Sequence, residues 1–128
     1  MAVLITSDGH LIDFADHVRA LVVLPETSVG KLVHMTMGVA GEAGELVDVV
    51  KKHWIYGKAL DVENVIEEIG DCLFYLQGIL NEAAPNVSLE EVMQRNVTKL
   101  EKRYPQGCRP SGDFLLNTSR FTSKEILS

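Results

Sequence analysis

Apolar side chains recur along the chain at three- and four-residue intervals, and four segments hold that spacing long enough to predict helices. The first, from about Leu11 to Val22, places Leu11, Phe14, Ala15, Val18 and Val22 at helical spacing, and Pro25 ends it. The second starts near Ser28, a good N-cap, and runs to about Tyr56, where Gly57 supplies a stop. The third begins at Asp61 as N-cap and continues to about Glu82, with Val62, Val65, Ile66, Ile69, Leu73, Leu76 and Leu80 forming one apolar stripe. The fourth opens on the capping box Ser88-Leu89-Glu90-Glu91, with Val87 placed to staple onto Val92. Strand signals are nearly absent, and only Leu21-Val22-Val23-Leu24 hints at one. The expectation is an all-α bundle of four core helices in a single domain over residues 1–106. Residues 107–128 read as a C-terminal loop and tail.

Composition narrows the function classes. A chain of 128 residues fits one domain, and 46% hydrophobic against 23% charged residues excludes wholesale disorder. The net charge of -6 removes the basic footprint that duplex nucleic acid requires. Cys72 and Cys108 are too few for a disulfide framework. The N-terminal apolar residues have no basic region before them and break into Ser7-Asp8-Gly9, unlike a signal peptide. No apolar run approaches the roughly 20 residues of a membrane span. A reduced, cytoplasmic protein is expected, with no nucleic-acid or membrane partner. The charge is also uneven: residues 1–94 carry 5 basic and 15 acidic side chains, residues 95–128 carry 7 and 3. An acidic body with a basic C-terminal part suits complementary surfaces or a metal-and-phosphate site.

At about 100° per residue, Met35, Gly38, Glu45, Leu46 and Val49 all fall within roughly 60° of Glu42 on the second helix. Glu42 and Glu45 therefore share a face with apolar residues. On the third helix Glu68, Asp71 and Tyr75 gather to one side of the apolar stripe. Glu42/Glu45 and Glu68/Asp71 are each i,i+3 pairs, side by side, and two antiparallel helices joined at Gly57–Leu60 can bring the pairs together. Four close carboxylates repel unless cations neutralise them, and an oxygen-only set suits Mg²⁺ or Mn²⁺. Gly38, Gly41 and Gly44, each costing up to about 1 kcal/mol against Ala in a helix, imply close approach of a helix or a ligand. On the fourth helix Asn96, Lys99 and Arg103 line one face, either as a phosphate contact row or as a solvated basic face. Lys51 and Lys52 complement a helix C-terminus. Trp54, Tyr56 and Tyr75 serve either to stack on a base or to fill the core.

The blocks Gly38-Val39-Ala40-Gly41-Glu42-Ala43-Gly44-Glu45-Leu46, Lys51-Lys52 and Glu67-Glu68-Ile69-Gly70-Asp71-Cys72-Leu73-Phe74-Tyr75-Leu76 resemble the MazG-like, all-α nucleoside triphosphate pyrophosphatases. Asn96-Val97-Thr98-Lys99-Leu100-Glu101-Lys102-Arg103-Tyr104-Pro105 is similar to that family's last core helix, so the resemblance covers about residues 28–106. It implies a bundle that forms a homodimer or homotetramer and hydrolyses (d)NTPs between the α and β phosphates, giving a monophosphate and pyrophosphate. By position it implies Glu42, Glu45, Glu68 and Asp71 as ligands of Mg²⁺, with Mn²⁺ as a possible substitute, and Glu42 or Glu45 as catalytic base. It implies Asn96, Lys99 and Arg103 on the phosphate side and Tyr75 in the substrate pocket. Many relatives have Glu-Glu-x-x-Glu where this chain begins with Gly41, which removes one candidate carboxylate.

Rival chemistries lack their residues. No Glu-x-x-His pair supports a di-iron bundle, no grouped His and Cys a zinc site, and no His-Asp dipeptide an HD phosphohydrolase. The Nudix arrangement of Glu residues on one helix after an Arg is also missing. The remaining alternative is a non-catalytic helical interaction module with structural carboxylates. No motif encodes the base, and a deoxynucleotide-pool enzyme acting on a purine such as dGTP or a pyrimidine such as dCTP or dUTP is expected.

Overall fold

The structure, a computed structural model, describes residues 2–105. It begins with a hairpin that the hydrophobic pattern does not predict. Strand β1 (Val3–Ile5) pairs antiparallel with β2 (Leu11–Asp13), in the register Val3↔Asp13, Leu4↔Ile12, Ile5↔Leu11. Thr6 closes the turn: its N–H donates to the His10 carbonyl at 2.8 Å and its hydroxyl to the Asp8 carboxylate, while Gly9 takes a φ of +86°. Three-residue strands are too short to show period-two alternation, and Leu11 with Phe14 mimics an i,i+3 helical pair. The usable signal is Asp8-Gly9 between two apolar trios. The expected first helix accordingly loses its start to β2, and the expected strand hint at Leu21–Leu24 is instead the end of that helix and its exit.

Helix α1 (Phe14–Leu21) is capped by the Asp13 carboxylate, which accepts from the Asp16 N–H at 3.3 Å. Helix α2 (Ser28–Trp54) is capped one residue earlier than expected, by Thr27, whose hydroxyl accepts from Gly30 N–H at 3.1 Å. It stops before Gly57, which takes a φ of +63°. Helix α3 (Val62–Ala83) starts where expected, with the Asp61 carboxylate accepting from Asn64 N–H at 3.1 Å. Helix α4 (Leu89–Arg103) follows, with Glu90 and Glu91 in its first turn. The fold is an all-α bundle with this one small hairpin added. The chain divides into two compact units, Met1–Leu89 and one beginning at Glu90, so nearly all of α4 belongs to the second. Residues 107–128 lie outside the described residues.

The core of the first unit is small. Val18 and Val22 of α1 and its exit meet Met35 of α2, and Phe14, Phe74, Tyr75 and Ile79 pack against them. Gly78 makes room for Met35: a Cβ there would lie 2.9 Å from the Met35 Cγ. Beside it, buried Gln77 donates to the Asn81 side chain at 2.9 Å, and Asn81 donates to the Ala15 carbonyl at 3.0 Å. That chain of hydrogen bonds latches α1 to α3, and no buried side-chain polar atom among the described residues is left unpaired.

The face that α3 turns to α2 is not its apolar stripe. Val62, Ile66, Ile69, Leu73 and Leu76 remain exposed, Ile66 by 58%, while Tyr75 and Gly78 face inward. On α2, Val33, Met37, Val47, Val50 and Trp54 are exposed as well, Trp54 by 83%. Trp54 and Tyr56 are therefore not core residues of this chain.

Candidate metal and phosphate site

The way α2 and α3 run past each other follows from the residues that meet between them. Lys31 lies 3.7 Å from Glu82, Met35 meets Gly78, Gly38 meets Tyr75, and Glu42 meets Glu68 and Asp71. Residue numbers rise on one helix as they fall on the other, so the pair is antiparallel. The spacing of the two carboxylate pairs thus becomes one cluster. Carboxylate oxygens of Glu42, Glu68 and Asp71 lie within 4.8 Å of one another. Glu42 and Glu68 are half-buried and Asp71 is exposed. Glu45, the fourth carboxylate, is exposed one turn along α2 and lies outside this trio, though its charge still acts on Glu68.

The electrostatics of the cluster converge on Glu68. Its pKa is raised above the ordinary carboxylate value, first by desolvation, then by the Glu42 charge and a hydrogen bond with Glu42, and further by Glu45 and Asp71. Lys51 and Lys52, near the end of α2, are paired instead with Asp48, at 3.1 and 2.6 Å. Those two hydrogen bonds lower the Asp48 pKa, Lys52 making the larger contribution. An all-oxygen anionic trio whose members repel one another fits a hard divalent ion such as Mg²⁺ or Mn²⁺.

A pH dependence follows. In metal-free protein Glu68 holds its proton more tightly folded than unfolded, so the folded state binds more protons in the interval above the ordinary carboxylate pKa. Stability must then fall as pH rises through that interval. Thermal unfolding in chelator is expected to show a higher Tm near pH 4.5 than near pH 7 for this contribution, and Glu68→Gln should flatten that part of the profile. Saturating Mn²⁺ at pH 7 should restore the lost stability.

Beyond the carboxylates the helix pair closes on aromatic rings. Tyr75 packs edge-on to Phe74, with centroids 5.4 Å apart, and to His34 at 6.4 Å. The three glycines of α2 differ in their surroundings. Only Gly38 meets a close neighbour within the described chain, since a Cβ there would overlap the Tyr75 ring, whereas Gly41 and Gly44 have open space beside them. Sequence reasoning does not single out His34; an isolated histidine on an amphipathic helix carries no signal of its own.

Asn96, Lys99 and Arg103 all lie on α4, exposed, in the second unit. Lys99 and Arg103 line a groove along that helix together with Gln94, Arg95 and Lys102, and Asn96 is not among its lining residues. Arg95 is ion-paired to Glu91, one turn earlier.

Comparison with known proteins gives the family. The family model described as the MazG nucleotide pyrophosphohydrolase domain matches residues 32–108, which include every carboxylate of the cluster. The "Gene 37 protein" of Mycobacterium phage L5 is 35% identical over 96 residues, covering 67% of this chain and 78% of its own length. No solved structure matches. Carried by the family match and by an all-α pair of helices that joins the two acidic motifs, the conclusion is that this chain belongs to the MazG nucleotide pyrophosphohydrolase family.

Proposed function

We propose that the protein hydrolyses nucleoside triphosphates between the α and β phosphates, releasing a monophosphate and pyrophosphate, and that its natural substrates are deoxynucleotides. The observation that carries this reading is the trio Glu42, Glu68 and Asp71, drawn to within 4.8 Å across two helices in a chain of the MazG family. These three, with Glu45 beside them, would hold Mg²⁺, or Mn²⁺ in its place. Bound there, such an ion screens the triphosphate and acidifies water.

The remaining work falls to the chain itself. Glu42 or Glu45 accepts the proton of the water that attacks the α-phosphorus in line. In the free site, Glu68 shares a hydrogen bond with Glu42 and so helps fix the direction in which that carboxylate points. Asn96, Lys99 and Arg103 are assigned the phosphates, where the two cations offset the charge that develops on the leaving pyrophosphate. Tyr75 is assigned the substrate pocket, its ring already held by Gly38, Phe74 and His34. The exposed apolar faces of α2 and α3 support a homodimer or homotetramer, because a patch of that kind on a monomer is unusual. No helix among the described residues is long and apolar enough to cross a membrane, and a phage relative suits action on the nucleotide pool of a host cytoplasm.

The test is incubation with the eight standard NTPs and dNTPs, and with dUTP, in Mg²⁺, with nucleotides and inorganic anions resolved separately. Monophosphate and pyrophosphate in equal amounts are expected, fastest for a deoxynucleotide such as dGTP, dCTP or dUTP. Diphosphate with inorganic phosphate would overturn the site of cleavage. Absence of turnover together with absence of Mn²⁺ binding by calorimetry would leave a helical interaction module with structural carboxylates.

A further inference from the structure

Gly38 sits one turn from Glu42 on α2, and Tyr75 sits one turn from Asp71 on α3. The two meet where no side chain other than hydrogen fits: a Cβ on Gly38 would overlap the ring and lie 2.6 Å from its Cγ. Phe74 and His34 brace the same ring edge-on, and Tyr75 is packed against the core of Val18, Val22 and Met35. These neighbours restrict the half-buried ring, so added bulk at Gly38 is expected to push α3 away from α2. The next turn of both helices carries the carboxylates Glu42 and Asp71, which with Glu68 form the candidate metal site.

We infer that Gly38 is a positioning residue for the metal site: its missing Cβ seats Tyr75 on the α2 backbone and so sets the helix spacing at which Glu42 reaches Glu68 and Asp71. This rests on the reading of the trio as a metal site. It also separates Gly38 from Gly41 and Gly44, which lie on the same helix near the same carboxylates but have nothing within 4 Å of the point a Cβ would occupy.

The experiment is a double-mutant cycle read by Mn²⁺ calorimetry on the full chain, at a temperature where circular dichroism shows each variant folded. Gly38→Ala is expected to weaken Mn²⁺ binding at least tenfold. In a Tyr75→Ala background the same glycine substitution should change Mn²⁺ affinity by less than about threefold, because without the ring a Cβ at position 38 meets no overlap. Gly41→Ala should bind as the parent does. Should Gly38→Ala not fold, Tyr75→Trp, which enlarges the ring over an intact glycine, takes its place with the same tenfold loss expected. Unchanged affinity in Gly38→Ala, or in Tyr75→Trp where that variant stands in, would overturn the inference. So would a Gly38→Ala loss that persists in a folded double mutant. A parent protein that binds no Mn²⁺ would overturn the metal reading itself, and the inference with it.

Discussion

Glu68→Ala is expected to reduce pyrophosphate release by at least about 100-fold while leaving the fold intact. Glu68 is the carboxylate on which the others act: Glu42, Glu45 and Asp71 all raise its pKa. Removing it takes one of the three carboxylates from the trio and leaves only Glu42 and Asp71. A loss of activity from unfolding would look different. In metal-free protein at pH 7 the cluster is a site of mutual repulsion, so Glu68→Ala should keep the parent Tm or raise it, while Mn²⁺ binding falls steeply. Activity assay, chelator-phase thermal unfolding and calorimetry on the same preparation separate the two cases. A variant that retained Mn²⁺ affinity and turnover would remove the trio from the mechanism. Glu45→Ala, outside the trio, should cost less in metal affinity than Glu68→Ala.

The largest effect on stability is expected at Met35. It is 1% exposed and fills the space between α1 and α3, against Val18 and the bare backbone of Gly78. Met35→Ala removes those contacts and leaves a cavity that the Gln77–Asn81–Ala15 hydrogen bonds, which hold α1 to α3, resist collapsing. The cost should be about 2–5 kcal/mol, read as a lower urea midpoint at unchanged slope. Because the buried hydrophobic residues among those described are few, such a loss would be a large share of the whole stability. Met35→Leu, close in volume, should cost less than about 1.5 kcal/mol. If Met35→Ala unfolds at the parent midpoint, this cluster is not what holds the helices together.

Much of the site is legible in the sequence. The i,i+3 spacing of Glu42/Glu45 and Glu68/Asp71, the caps at Asp61 and near Ser28, and the short Gly57–Leu60 connection suffice to predict two antiparallel helices with facing acids. Helical period is a local property, and each carboxylate's direction on its own helix follows from it. The hairpin is legible only through Asp8-Gly9, because Leu4 and Ile12 pair through backbone hydrogen bonds that leave little pattern in strands of three residues.

The apolar stripe of α3 misleads for a different reason. A hydrophobic stripe says that a face will be covered, not by what. Within this chain α2 covers another side, through Tyr75, Gly78 and the acids, and Ile66, Ile69 and Leu73 remain exposed. Likewise three glycines on one helix look equivalent in sequence, yet only Gly38 has a ring against it. The helices, the cap at Asp61 and the orientation of the acidic pairs were set locally, because period and capping act within a few residues. Three further outcomes were not: that three of the four carboxylates meet, that Glu45 stands aside, and that Tyr75 needs a glycine beneath it. They depend on the distance and rotation between two packed helices, which neither helix encodes alone.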